Sequence, residues 1–214
     1  MGQKETYFLL LCDVRKSSKR SVREGTALLN ALEDVVQATK KQFPSEFALG
    51  PELNYGDEIS ALFSSPHALY DVMAFLRQQL KPIAELRCVC IHGQIGAQAD
   101  TMNRISGPIF KQANEAISTL KKSGWFSAWK IGDDQADQTL SALANLIDAR
   151  IQSMTDYQFE VYQLMASGLS QSEVAAKLGK YQQSVSDAVS RAHIDIVLEA
   201  ETAMRAMLTG FRKD

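Results

Sequence analysis

The run Phe8-Leu9-Leu10-Leu11-Cys12 ends on the carboxylate of Asp13 and reads as a buried strand over residues 6–13. In residues 20–42, Val22, Leu28, Leu29, Leu32, Val35 and Val36 recur near helical spacing with charges opposite, and Phe43-Pro44 stops the helix. Residues 46–54 and 58–63 read as two strands around Tyr55-Gly56-Asp57, a hairpin. Ser64-Ser65-Pro66 is expected to cap a helix over 66–80, which ends before Pro82. A strand over 86–95, a polar loop through Arg104, a helix over 108–122 closed by Ser123-Gly124 and a strand over 125–131 follow. The order β-α-β-β-α-β, then α and β, predicts a ferredoxin-like arrangement with an extension. Its strand order, 4-1-3-2, sets strand one beside strand three, so Asp13 and Asp57 become neighbours at one edge.

Gly132-Asp133-Asp134-Gln135 reads as a linker, and every periodic segment beyond it is helical: 136–151, 155–167, 171–178 and 182–208. The fold class is therefore α+β: a ferredoxin-like domain over 1–132, then an all-α domain over 133–214. The long last helix carries Ile194, Ile196, Val197, Leu198, Met204, Met207 and Leu208. That apolar surface needs a partner, and a homodimer is the expectation, since two-fold assemblies are the commonest.

Composition narrows the function classes. The 214 residues are 45% hydrophobic and 22% charged, with a formal net charge of −2. Nothing global draws the chain to nucleic acid or anionic lipid, so any DNA contact must come from a local patch. Cys12, Cys88 and Cys90 are an odd number in apolar runs without a secretory signal, which predicts buried thiols rather than disulfides. No stretch reaches the ~20 apolar residues of a membrane span, and the expected location is the cytoplasm. P-loop, Gly-x-Gly-x-x-Gly and Ser-His-Asp patterns are lacking; His92, inside a strand, reads as structural, and His67 and His193 share no ligand spacing with it.

The chemistry concentrates at the strand ends. Mg²⁺ takes oxygen ligands, commonly one or two carboxylates plus water and phosphate. Asp13, Asp57 and Glu58 are the candidate metal ligands, with Glu58 expected to turn away because strand neighbours alternate faces. The turn Val14-Arg15-Lys16-Ser17-Ser18 leads into a helix start, and with Lys19, Arg20 and Arg23 it sets five cations within nine residues. Such a turn suits phosphate. The competing reading is a solvated helix start with a capping Asp.

Asp13 after an apolar strand, Gly56-Asp57 in a hairpin and Ile91-His92-Gly93 in a later strand resemble the class III nucleotidyl cyclase fold; the diguanylate cyclase hairpin also carries Gly-Asp-Glu. The chain more closely resembles the SatD-like bacterial family, in Asp13 to Ser17, Gly56 to Glu58 and Gly107-Pro108-Ile109-Phe110-Lys111-Gln112-Ala113, over about residues 6–125. The resemblance implies a nucleotide ligand with Mg²⁺ or Mn²⁺. It sets Lys111 and Glu115 where cyclases carry an Asn and an Arg that act on the transition state. Lys111 becomes a phosphate-binding candidate, while Glu115 opposes charge developing on phosphate, so little cyclisation is expected.

In the back half, Ser170-x-x-Glu173 is a capping box and Gly179 marks a turn. Gly168 to Gly179, followed by Ser184-Val185-Ser186, resembles the helix-turn-helix of sigma-factor region four and of LuxR-type regulators. The resemblance implies that Lys180, Gln182, Gln183, Ser184, Ser186, Asp187, Ser190 and Arg191 face double-stranded DNA. Residues 151–214 hold 6 Lys and Arg against 8 Asp and Glu, which leaves a helical assembly module as the competing reading. Two functions follow: a regulatory DNA-binding protein with a nucleotide- and Mg²⁺-binding sensor, or a metal-dependent nucleotidyl transferase or cyclase whose helices dock a partner.

Overall fold

The computed structural model describes residues 5–15, 21–54, 56–96 and 100–211. Among these the order is β1 (Thr6–Val14), α1 (Val22–Gln42), β2 (Leu49–Asn54), β3 (Glu58–Phe63), α2 (Leu69–Leu80), β4 (Leu86–Gln94), α3 (Pro108–Ser123) and β5 (Ser127–Lys130). Then come α4 (Asp134–Gln152), α5 (Asp156–Ala166), α6 (Gln171–Leu178), α7 (Gln182–Ala192) and α8 (Ile194–Thr209). The strands form one sheet ordered β2-β3-β1-β4-β5. The first four run antiparallel in the 4-1-3-2 order expected from the sequence, and β5 adds parallel to β4.

Alternation along β1 divides the core in two. Phe8, Leu10, Cys12 and Val14 face α1 and α2; Leu9 and Leu11 face Ile109, Ala113, Ile117 and Leu120 of α3. All three cysteines are buried and free, as expected. His92 stacks on Phe8, its partner across the strands, with ring centroids 4.4 Å apart.

The edge strand β5 is closed by side chains rather than by another strand. Asp137, Ser141 and Asn145 recur at four-residue spacing on one face of α4. Asp137 Oδ1 accepts from Ile131 and Gly132 N–H, Ser141 Oγ from Trp129 N–H, and Asn145 Oδ1 from Phe126 and Ser127 N–H. Asn145 Nδ2 donates back to the Ser127 carbonyl. Backbone groups that would be left orphaned are thus paired, and the edge is hidden from other chains.

The apolar core crosses residue 132: one contiguous cluster holds Phe8 and Met73 with Tyr162, Val174, Val197 and Met204. Polar contacts reinforce it. Tyr70 and Tyr162 hydroxyls donate to the buried Glu201 Oε1 at 3.0 and 2.6 Å, Gln78 Nε2 donates to Tyr162 Oη at 3.1 Å, and Arg205 Nε pairs with Asp71 at 2.6 Å. Burial, first, and the Glu201 carboxylate raise both tyrosine hydroxyls well above their ordinary pKa.

Four local expectations are corrected. The helix expected over 182–208 breaks at His193, which sits at φ 51°, ψ 41° between α7 and α8. Arg150 of α4 holds the break: its Nε and Nη2 donate to the last carbonyls of α7, Ala192 and Arg191. The bend turns α8 so that Glu201 and Arg205 reach α2. The expected linker is an N-cap: Asp133 Oδ1 accepts from Ala136 N–H and α4 starts at once. Helix α2 starts at Leu69 with no side-chain cap, because its N-cap residue is Ala68, while Ser65 bonds His67. Strand β2 begins at Leu49 rather than 46. Among the described residues, no helix is long and apolar enough to cross a membrane.

Candidate functional site

The β2–β3 turn is tight because Gly56 takes φ +85°, a left-handed conformation that suits glycine. Val14 N–H donates to the Asp57 carbonyl at 3.2 Å, locking the turn to the end of β1. That bond brackets Asp13 and Glu58, which stand opposite each other. They form a non-hydrogen-bonded pair, the narrow kind in which side chains lie closest. Arg87 faces Asp13 from β4, and Asn54 faces Glu58 from β2. Four polar side chains, Arg87, Asp13, Glu58 and Asn54, therefore form a row across four strands on the α3 side. Glu58 does not turn away from Asp13. Asp57 belongs to the turn, so strand alternation begins only at Glu58 and cannot be counted from Asp57.

The electrostatics follow from this packing. Asp13 is 8% exposed. Its Oδ1 accepts from Lys121 Nζ of α3 at 2.9 Å, and its Oδ2 from Arg87 Nη1 at 3.4 Å. Burial raises the Glu58 carboxyl above its usual range; the charges of Asp13 and Asp57 add to this, and Lys121 opposes it. Asn54 Nδ2 donates to Ser60 Oγ at 2.6 Å, while Asn54 Oδ1 is buried without a partner.

A cavity of about 340 Å³ adjoins the row, lined by Leu11, Asn54, Glu58, Gly107, Phe110 and Asn114 among others. The wall around Met102 is tied to the sheet, since Met102 N–H donates to Glu52 Oε2 at 2.9 Å. Gly107, at φ +141°, lets the start of α3 pack against the backbone after β4: a Cβ there would lie 2.4 Å from the Gly96 nitrogen. The cavity lining thus combines the aromatic Phe110, the carboxylate-bearing Glu58 and the amide-bearing Asn54 and Asn114.

The candidates from the sequence fall into groups. Asp13, Asp57 and Glu58 meet at one edge. The Val14 N–H is used within the sheet, and Arg15 is held by Glu85 at 3.1 Å and by the Phe126 ring at 4.9 Å. Lys16, Ser17, Ser18 and Arg20 lie outside the described residues. Lys111 and Glu115 are exposed, further round α3 than the Phe110, Asn114 and Lys121 side that faces the site. Lys180, Gln182, Gln183, Ser184, Asp187, Ser190 and Arg191 are exposed, and Ser186 is half-buried. Gly179 (φ +62°) closes α6, and Gln183 Nε2 donates to Asp187 at 3.0 Å. Sequence reasoning missed Arg87, Lys121, Asn54, Phe110 and Asn114. Only Arg87 carried a signal, as a lone charge in a buried strand; the others reach the site through tertiary packing.

The donor types at this edge suit a hard divalent cation, but their arrangement differs from a finished metal centre. Both Asp13 oxygens already accept bonds from protein cations. Among the described residues, no three carboxylate, imidazole or thiol groups are placed to hold a metal together.

No protein-family model matches the chain, and no curated protein matches it. Similar solved structures are nucleotidyl cyclase domains. A bacterial light-regulated adenylyl cyclase is 13% identical over 60% of this chain and 77% of its own, with a TM-score of 0.43. The guanylyl cyclase Cya2 is 16% identical over 55% and 72%, with a TM-score of 0.38. The dimeric guanylyl cyclase domain of the RhoGC fusion protein from Blastocladiella emersonii is 16% identical over 55% and 76%, with a TM-score of 0.40. Likeness at this level carries no functional weight here; the geometry of the chain does.

Proposed function

We propose that this chain binds a nucleoside triphosphate with Mg²⁺ or Mn²⁺ at the hairpin end of its sheet, as a nucleotidyl-cyclase-like domain. One observation carries the reading: Asp13 and Glu58 pair across the sheet, with Asp57 in the adjoining turn, and Glu58 lines a cavity together with Phe110, Asn54 and Asn114. A base stacks on Phe110, and Asn54, Glu58 and Asn114 take its polar edge. A cation held by Asp13 and Asp57 neutralises phosphate charge. Arg87 orients the Asp13 carboxylate through its Nη1 contact. Exposed Lys111 and Glu115 bring no further cation to the site from the same chain, so binding outweighs turnover.

Calorimetry of the full chain with ATP and GTP, with and without Mg²⁺, tests this. Binding should require the metal, and Asp57→Asn should weaken it at least about tenfold, since one of two charged ligands is lost. Equal binding in chelator, or an Asp57→Asn chain that binds normally, contradicts the reading.

The helices α6 and α7 support a second reading, a helix-turn-helix that reports the nucleotide to DNA. Gln182, Gln183 and Ser184 are exposed at the start of α7 after the Gly179 turn, and Tyr181 gives that helix no side-chain cap. Gln presented at a helix start can read adenine in the major groove.

A further inference from the structure

We infer that Lys121 is a displaceable internal cation that competes with the divalent metal for Asp13, and so sets the metal threshold of the site. The inference rests on the metal-dependent nucleotide reading above.

A carboxylate as buried as Asp13 needs compensating charge. It has two sources, and they differ in kind. Arg87 is 12% exposed at the side chain and sits on a central strand, in register with Asp13. It cannot leave without disturbing the sheet, and its contact is the longer one, at 3.4 Å. Lys121 makes the shorter contact, at 2.9 Å, yet its side chain is 50% exposed and comes from the last turn of α3. A flexible stem with an ammonium at the water boundary regains hydration on leaving, so its departure costs little.

The surroundings favour an incoming positive charge. Glu58 stands against Asp13 as a narrow cross-strand pair, with Asp57 in the adjoining turn. Two cations therefore serve three carboxylates among the described residues. Asn54, whose Oδ1 is buried without a partner, lines the same cavity as Glu58. A divalent ion held by Asp13 and Asp57 competes with Lys121 for the Asp13 carboxylate, and the ammonium and the ion repel each other. Lys121 thus holds the acidic edge together and raises the metal concentration needed to fill it. The consequence is opposite in sign to that of a metal ligand or a phosphate anchor: removing Lys121 should strengthen metal binding.

The test is a Mn²⁺ titration of the full-length chain without nucleotide, read by calorimetry and by the electron paramagnetic resonance signal of free Mn²⁺. Lys121→Met keeps the helix and removes the charge; it should bind Mn²⁺ about five- to tenfold more tightly than the parent, the worth of a half-exposed ion pair plus relieved repulsion. Lys121→Arg keeps the charge and should stay near the parent affinity. Parent and Lys121→Met chains that bind Mn²⁺ equally well overturn the competition while leaving the metal site intact. Weaker binding by Lys121→Met also overturns it and makes Lys121 a support of the site. Failure of every form to bind Mn²⁺ overturns the competition together with the metal-dependent reading.

Discussion

Arg77 of α2 joins the sheet-bearing half of the molecule to the helices beyond residue 132. Its Nη1 pairs with Asp148 of α4 at 2.5 Å, and its Nη2 donates to the Phe126 carbonyl at 3.1 Å. The two side chains are only 10% and 7% exposed. Burial pushes the Asp148 carboxyl up to about 6, against the opposing pull of Arg77. Arg77→Met leaves Asp148 buried without its cation and takes one of two donors from the Phe126 carbonyl, which keeps the Cys88 N–H at 2.9 Å. Breaking one side of a buried pair costs roughly 3–5 kcal/mol. In a chain of this size each kcal/mol moves Tm by about 2–4 °C, so the loss is about 6–20 °C. The double variant Arg77→Met, Asp148→Leu should recover most of it, because an apolar pair of similar volume removes the stranded charge. Urea and thermal unfolding, followed by circular dichroism and by the fluorescence of the buried Trp129, measure both effects. The core is contiguous across residue 132, so the loss should appear as a shift of one cooperative transition. A cost below about 1 kcal/mol, or two separate transitions of which only one moves, refutes this account of how the halves are joined.

His193→Gly should be neutral or stabilising by up to about 1 kcal/mol, since glycine takes the left-handed break without the steric cost; a clear loss of Tm would show that the imidazole itself holds the bend. Incubation with labelled ATP or GTP and Mn²⁺ should yield little or no cyclic mononucleotide, because Lys111 and Glu115 lie exposed on α3; robust product that disappears in Asp13→Ala contradicts this. If the helical region binds duplex DNA, anisotropy should report modest affinity that collapses with salt. Lys180→Ala and Arg191→Ala should then weaken all sequences alike, and Gln183→Ala should relax preference at one base pair by roughly 1–3 kcal/mol; salt-independent retention sinks that reading.

The sheet was legible because its strands are buried runs bounded by turn residues, and because the β-α-β-β-α-β order has few sheet arrangements. That order alone placed Asp13 beside the hairpin. The break at His193 was not legible: the apolar spacing of Val185, Val189, Ile194 and Val197 passes through it without interruption. Its cause, Arg150 capping the α7 carbonyls, lies more than forty residues away in sequence. Glu58 was misplaced because its orientation depends on where the turn ends, which periodicity does not reveal. Lys121 was invisible for a further reason. A lysine in the last turn of a helix is ordinary, favoured by the helix dipole, and only the packing of α3 across the sheet brings it to Asp13.

The most direct test of the central claim is a crystal structure of the full chain grown with Mn²⁺ and a non-hydrolysable nucleoside triphosphate, with anomalous differences collected to locate the metal. The account predicts an ion about 2.1 Å from oxygens of Asp13 and Asp57, the base against Phe110 and Asn54, and Lys121 withdrawn from Asp13. An ion and nucleotide bound elsewhere, with Lys121 still bonded to Asp13, would contradict it.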